Sequence, residues 1–451
     1  MTLASPRTLA ALGGALALAV VAPGCGARET GVTTLRFWAM GQEGERVRPL
    51  LATFEREHPG VTIEVQALPW TAAHEKLLTA FVGRTTPDVA QLGNTWIPEF
   101  AALGALAPLD ARVARSAVVN AGTDFPGIWD TNVVDGTLYG VPWYVDTRVL
   151  FYRKDLLARA GWPEAPRTWS EWLAAMRALR ASGTGVRAAI LLPVDEWAQP
   201  VILGFQQGAT LLRDDGRWGA FQDPAFRRAV EFYAGLFREG LAPNASNVQV
   251  ANLYQQFAAG DFAMYITGPW NLGEFRRRLP AGLQEAWDTA PLPTPDGSAW
   301  PGLSLAGGSS LALFATSRHP ELAWQLIEYL SRPEVQLAFY EVTGDLPARR
   351  AAWDAPPLAG EPRARAFRLQ LDRVQPAPRV PEWENIAWKV AENLDATIRG
   401  GRPVDASLAA LDRDVDGLLA KRRYLLERAG RVDGGGPAAP PAADSRAPDA
   451  R

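Results

Sequence analysis

The chain has 451 residues, 47% of them hydrophobic, and 46 Lys and Arg against 49 Asp and Glu give a net charge of −3. That near-neutral balance excludes the strong basic excess of a dedicated nucleic-acid binder. Three scattered histidines (His58, His74, His319) and one cysteine, Cys25, leave almost no material for a zinc site, a disulfide framework or a cysteine–histidine nucleophile. By contrast, 17 tryptophans are many for this length, and an indole offers a large flat apolar face with one donor, the kind of surface on which ligands stack.

In chain order, Met1–Arg7 carries one positive side chain, and Thr8–Ala22 is almost wholly Ala, Leu, Val and Gly. That run is short for a bilayer span and suits a signal-peptide core. It ends in Ala22-Pro23-Gly24-Cys25, which resembles a bacterial lipobox with Pro23 where Ala or Ser is usual. The expected signal peptide is residues 1–24, Cys25 the lipid acceptor and residues 25–32 a short tether. The remainder is a soluble body outside the cytoplasm, in the periplasm or on the outer face of the plasma membrane, held by acyl chains.

Thr33–Met40 reads as a strand followed by a loop, Gly41–Glu45, and Glu45–His58 has the apolar spacing of a helix that stops at Pro59-Gly60. Val61–Leu68 alternates as a strand, Ala73–Val82 is a helix, Asp88–Leu92 a short strand and Ile97–Leu103 a helix. Next come a strand at Val149–Tyr152, a helix from Lys154, and a capping box, Thr168 with Glu171, before the helix Trp172–Leu179. Amphipathic helices follow at Phe226–Phe237 and Ala251–Phe257, then strands at Phe262–Thr267 and Leu311–Phe314. Helices at Glu321–Leu330, Ile386–Ile398 and Ala406–Leu425 close the chain, and residues 426–451, rich in Gly, Pro and Ala, read as a disordered tail. The strand–helix rhythm predicts an α/β fold with mixed sheets flanked by helices, and ligands in such folds sit beyond the carboxyl ends of the strands.

Three motifs carry a family resemblance. They are Gly140-Val-Pro-Trp-Tyr144 with Leu150-Phe-Tyr-Arg-Lys-Asp-Leu156 and Pro166-Arg-Thr-Trp-Ser-Glu-Trp172; Gly260-Asp-Phe-Ala-Met264 with Gly268-Pro-Trp270; and Ala306-Gly-Gly-Ser309 with His319-Pro-Glu-Leu-Ala-Trp324. In this order, after a lipoprotein-like leader, the chain resembles the extracellular solute-binding proteins of bacterial ABC importers. Within them it resembles the sugar-binding branch of maltose- and trehalose/maltose-binding proteins. The resemblance covers residues 33–425. It implies a two-lobed periplasmic-binding-protein-like fold of type II, with lobe one at 33–143 plus 305–345 and lobe two at 144–304 plus 346–425. The ligand lies between the lobes. The implied partners are a sugar, the permease subunits with their ATPase, and the membrane through Cys25. A monomer without cofactor, metal or nucleic acid is expected.

A sugar presents apolar C–H faces and a belt of hydroxyls, so its site wants aromatic planes together with carboxylates, amides and guanidinium forks. The loops after predicted strands supply Trp38, Gln42, Glu43, Trp70, Asn94, Thr95 and Trp96. The lobe crossings add Tyr144 and Asp146, and the family motifs add Trp270 for stacking and Gly307 with Ser309, in a Gly-Gly-Ser run that allows close approach. Arg349 is a candidate bidentate donor and Trp383 a second platform. Arg148 reads as structural, and Trp162, Trp169, Trp172, Trp324 and Trp388 as packing residues on amphipathic segments. A non-sugar solute such as a polyamine or a glycerol-phosphate ester is the alternative ligand. A secreted glycosidase, with Glu43 and Asp146 as its carboxylate pair, is a more distant alternative, since no nucleophile elbow, P-loop or metalloprotease motif is present.

Overall fold

The structure, a computed structural model, describes residues 32–433 apart from Ala251. The expected signal peptide, Cys25, most of the tether and residues 434–451 lie outside the described residues. The expected tail begins inside a helix: Ala420–Asp433 runs through its first eight residues. Arg423 anchors that helix. Its guanidinium lies 3.8 Å from the centre of the Trp218 ring and donates to the Arg217 carbonyl at 2.9 Å.

Two main sheets organise the chain. Their strands are β1 (Thr33–Met40), β2 (Val61–Leu68), β3 (Val89–Gly93), β4 (Val141–Asp146), β5 (Val149–Arg153), β6 (Ala188–Leu191), β7 (Phe262–Thr267), β8 (Trp287–Ala290), β9 (Ser304–Leu313) and β10 (Val374–Pro376). The first sheet has the order β10-β9-β3-β1-β2, with β4 on β9; the second has the order β8-β5-β7-β6. β1 lies parallel to both β2 and β3, while β9 is antiparallel to β3 and β4. The carboxyl ends of β1, β2 and β3 therefore point the same way, and the segments Gly41–Glu43, Trp70 and Asn94–Trp96 come together there.

β4 stays in the first sheet as far as Asp146, and the chain enters the second sheet at Val149. It returns through β9. β10, which falls in the stretch expected in lobe two, also joins the first sheet. β9 starts seven residues earlier than the predicted strand, because its first half, Ser-Leu-Ala-Gly-Gly-Ser-Ser, lacks the β-branched and aromatic residues that mark a strand. Other departures matter for the site. Gly41–Arg46 is a short helix rather than a loop, and Trp70 opens the helix Trp70–Val82 instead of preceding it. The predicted helix Ala406–Leu425 is two helices, Val404–Leu418 and Ala420–Asp433. The capping box forms as read: Glu171 N donates to Thr168 Oγ1 at 3.2 Å and Thr168 N donates back to the Glu171 carboxylate at 3.2 Å.

The first sheet buries one face under the helices Pro320–Leu330 and Pro333–Thr343. Trp143 is its one fully buried tryptophan among the described residues, the indole stacked on Phe339 at 4.3 Å between ring centres and edge-on to Phe37 at 5.8 Å. Large-to-small truncation of such a residue loses both transfer energy and packing. Trp143→Ala should lower the unfolding free energy by about 3–5 kcal/mol. In a urea titration it should read as an earlier midpoint at unchanged slope, and a midpoint equal to that of the unaltered protein would refute the assignment.

Candidate ligand cleft

One cavity of about 570 Å³ lies between the first sheet and the segments that follow β6 and β7 of the second. The first sheet and its loops contribute Gly41, Gln42, Glu43, Trp70, Gly93, Asn94, Thr95 and Trp96; the strand pair β4–β9 and its flanks contribute Tyr144, Asp146, Arg148, Leu305, Gly307, Gly308 and Ser309. Trp197 and Trp270 come from the second-sheet side, with Asp345 and Glu384 from later segments. A second cavity of about 610 Å³ lies between the hairpin at Val133–Leu138 and the one at Leu212–Gly219. It contains no tryptophan and does not sit at the carboxyl ends of β1, β2 and β3, so the first cavity is the candidate site.

Its floor is a hydrogen-bond chain centred on the buried Tyr144. Gln91, fully buried on β3, accepts from Met40 N at 2.8 Å and donates to the Tyr144 hydroxyl at 3.0 Å and to Ser309 Oγ at 3.1 Å. Ser309 Oγ in turn donates to the Tyr144 oxygen at 2.9 Å, and the Tyr144 hydroxyl donates to Glu43 Oε1 at 3.0 Å. The chain fixes Glu43 from behind, and the Trp70 side chain also hydrogen-bonds its carboxylate. Gly41, at φ +51°, makes the turn that brings Glu43 inward; a Cβ there would meet the Glu43 carboxylate at 3.0 Å and Trp70 at 3.1 Å. Gly308, at φ +144°, lets β9 pass so close to β4 that a Cβ would overlap the Tyr144 carbonyl.

Four indoles wall the cavity. Trp70 and Trp96 meet edge to face at 5.6 Å, and Trp197 stands edge-on to Trp383 behind it at 5.4 Å. Trp270 opens the helix Trp270–Arg278 and carries the Arg148 guanidinium over its ring at 4.6 Å. Arg148 is also ion-paired with Asp146. Glu384 reaches across to the side chains of Thr95 and Trp96, linking a helix that packs in the second core to the first sheet's loop.

The structure brings Gln42, Glu43, Trp70, Asn94, Thr95, Trp96, Tyr144, Asp146, Trp270, Gly307 and Ser309 to this cavity and leaves three predicted residues outside it. Trp38 is buried in the core on the other face of the first sheet, under Lys76. Arg349 is buried against Asp124 at 3.5 Å and donates to Thr123, so its fork is spent on a structural ion pair. Trp383 is fully buried behind Trp197, on the core side of its helix. Asn94 borders the cavity, but its amide is used by Thr131 at 2.7 Å and Ser310 at 2.8 Å. Gly307 and Ser309 lie within the β4–β9 ladder opposite Asp146 and Tyr144 rather than in an open hinge. Trp197, Arg148, Asp345 and Glu384 were not among the predicted site residues. Arg148 reads as structural from the sequence, whereas here it lines the cavity. Nothing short of the fold places the other three, although Trp197 follows Asp195-Glu196 in the loop after β6, a strand missed in the sequence.

The sequence model of the bacterial extracellular solute-binding proteins matches residues 40–337. The chain belongs to this family. It is 49% identical to the sugar-binding protein MalE from Xanthomonas citri over 88% of this chain and 100% of that one, and the two structures superpose with a TM-score of 0.84. It is 28% identical to the diacetylchitobiose-binding protein DasA of Streptomyces coelicolor over 86% of this chain and 89% of that protein. It is 27% identical to the galactooligosaccharide-binding protein of Bacillus subtilis over 81% of this chain and 84% of that protein. The two-lobed fold expected from the resemblance is therefore the fold observed, with the cleft between mixed sheets. The family places the protein outside the cytoplasm and among binding proteins. Among the described residues no helix is long and apolar enough to cross a membrane.

The electrostatics of this candidate cleft are set by burial. Burial pushes the Glu43 carboxyl above its usual range, and the hydrogen bonds from Tyr144 and Trp70 pull it only part of the way back. Asp345 is pushed well above its usual range by burial and by the neighbouring Glu43 charge, and its Oδ2 has no hydrogen-bond partner within the chain. Glu384 is raised by burial too, despite Thr95, His74 and Trp96. A carboxyl raised in the folded state favours folding only while it is protonated. Its contribution is present at acid pH and is lost as pH climbs from the unfolded value toward the raised folded value. Asp345→Asn should therefore gain stability relative to the unaltered protein as pH rises from about 4 to 8. Urea unfolding across that range measures the difference, and a gap independent of pH would show that Asp345 is not held up by burial.

Proposed function

We propose that the protein captures a sugar, from a single unit to a short oligosaccharide, in the cleft between its lobes and delivers it to the membrane permease of an ABC importer, without catalysing a reaction. The supporting observation is the cavity between the first sheet and the segments after β6 and β7, which combines four indoles with four carboxyl groups. Stacked rings match the C–H faces of a sugar, and Glu43, Asp345, Glu384 and the Asp146–Arg148 pair match its hydroxyls. The relatives named for sugars and oligosaccharides point the same way. On this reading lobe one, at 33–143 plus 305–345, closes on lobe two, at 144–304 plus 346–425. Closure follows because only a ligand that touches both lobes shifts the balance between open and closed forms. The leader ending at Cys25 is then the means of export and anchoring, and Cys25→Ser should move the protein from the membrane fraction to the soluble envelope fraction.

One observation favours a second reading, a polyamine. Four carboxyl groups line the cavity against the single guanidinium of Arg148. The sugar reading answers it physically: Asp146 is neutralised by Arg148, and burial pushes Glu43, Asp345 and Glu384 toward their neutral, donor-bearing forms. A thermal-shift panel of maltose, diacetylchitobiose, galacto-oligosaccharides, spermidine and putrescine separates the two. A ligand at a hundred times its dissociation constant should add about 2.7 kcal/mol to stability. The expected result is a shift with sugars alone and a loss of at least about tenfold in affinity, roughly 1.4 kcal/mol, on Trp197→Ala or Trp270→Ala. A shift with polyamines alone would replace the sugar with a cation in the same cleft.

A further inference from the structure

His74 stands directly behind the wall of the cleft. Its ring meets Trp96, a lining residue, edge to face at 5.1 Å, and Phe100 at 5.9 Å. The helix Trp70–Val82 buries Ala73, Leu77 and Ala80 and leaves His74 on their flank. There its Nε2 lies 2.7 Å from the Glu99 carboxylate, at the start of the helix Ile97–Ala102. The other two histidines lie elsewhere: His58 stacks on Phe54 at 4.0 Å, and His319 precedes the helix Pro320–Leu330.

Glu384 reaches the same wall from the opposite side. It sits at the start of the helix Trp383–Ile398, whose Trp383, Ile386 and Ala387 pack in the second core, and its carboxylate accepts from the side chains of Thr95 and Trp96. The charged groups that face His74 are Glu99 from the helix Ile97–Ala102, Glu384 from across the cleft and Glu75 on its own helix. Lys76 turns away, over the Trp38 ring at 5.4 Å. Glu384 thus feels attraction from a protonated His74 and repulsion from Glu99. With the proton on His74, the pair His74–Glu99 is neutral overall and Glu384 is drawn to the wall. Without it, Glu384 faces the negative Glu99 alone, so the sign of the force across the cleft follows one proton. The hydrogen bond to Glu99 holds the His74 imidazole above its usual range against the opposing effect of burial. A histidine raised in this way contributes fully below its unfolded value, and that contribution is lost as pH climbs through the raised value.

We propose that His74 is a positioning residue for closure of the cleft: protonated, it holds Glu384, and with it the helix Trp383–Ile398, against the wall made by Thr95 and Trp96, and loss of the proton loosens that contact. The proposal rests on the closing of one lobe on the other described above, and not on the identity of the solute. Linkage makes the effect reciprocal. If the proton favours the closed form, closure must tighten His74's hold on the proton by the same factor. The attraction also has an acid limit, because burial raises the Glu384 carboxyl and a protonated Glu384 has no charge to offer. The contact is therefore strongest in the window between the titration of Glu384 and that of His74, and it weakens on the alkaline side first as His74 gives up its proton.

Two measurements on the protein without added solute test this. The first follows the three histidine rings by NMR as pH is raised, in the unaltered protein and in Glu384→Gln. The glutamine variant should shift the His74 midpoint to lower pH by several tenths of a pH unit and leave His58 and His319 where they were. The second is small-angle X-ray scattering at about pH 6.5 and about pH 9, on either side of a raised histidine. The radius of gyration of the unaltered protein should be larger at the higher pH. His74→Gln should be expanded at both values, whereas His74→Lys, charged at both, should be compact at both. Urea unfolding checks that each variant folds. A His74 that merely fills space would leave the glutamine and lysine variants alike, which overturns the proposal. An unchanged His74 midpoint in Glu384→Gln, or a radius independent of pH in the unaltered protein, overturns it too. No sugar enters either measurement, so these results leave the sugar reading as it stands, and failure of the sugar panel leaves the role of His74 as it stands.

Discussion

The antiparallel run of β4 against β9 is the constraint from which the cleft follows. β4 leads out of the first sheet and into the second after only two residues beyond Asp146, and β9 brings the chain back at Ser304. Because the two passages lie side by side, the sheets must meet along this ladder, and whatever projects from it faces the space between them. Tyr144 and Ser309 are register partners and share a hydrogen bond; Gly307 and Asp146 are partners two residues further on. The closeness of the pass is bought with the absence of side chains at Gly307 and Gly308, where a Cβ would collide with the Asp146 and Tyr144 carbonyls. The same ladder thus sets the joint between the lobes, the floor of the cavity and, through Tyr144, the orientation of Glu43.

Local pattern carried far in this chain wherever a strand or helix declares itself by its own residues. β1 and β2 end where the alternation of Thr33–Met40 and Val61–Leu68 ends, and the Thr168–Glu171 box starts its helix. From these boundaries the loops at the carboxyl ends of the first strands followed, and most residues chosen there line the cavity. Legibility fails where identity of an element depends on a distant partner. The Gly-Gly-Ser-Ser half of β9 is a strand because β3 and β4 flank it, not because those residues prefer extended backbone. Asp345 and Glu384 enter the cleft from segments far along the chain, and no spacing in the sequence ties either to Glu43 or Thr95.

The helix Trp383–Ile398 shows a subtler failure. Its apolar residues at 386, 390 and 394 already define a buried stripe with a period of four, and 383 extends it while 388 falls outside it. The phase was present in the sequence, yet Trp383 was expected at the ligand and Trp388 in the core. The structure buries Trp383 in the core and leaves Trp388 exposed. Arg349 illustrates the opposite limit. A guanidinium near a lobe crossing suits a ligand fork equally well on paper, but Asp124, more than two hundred residues earlier, claims it.

The cleft also shows why so many titratable groups tolerate burial. Asp146 is matched by Arg148, and Glu43 by the hydroxyl of Tyr144 and by Trp70. Asp345 is the exception, 3% exposed with one oxygen unpartnered in the chain and Glu43 close enough to raise it further. An unpaired buried polar atom costs on the order of 1–3 kcal/mol, and a ligand hydroxyl that supplies the missing hydrogen bond recovers it. That recovery is available only where the ligand fits between the lobes. On the proposed reading, the half-satisfied carboxyl therefore adds to the preference for the occupied form, and the indoles add affinity without having to specify which hydroxyl goes where.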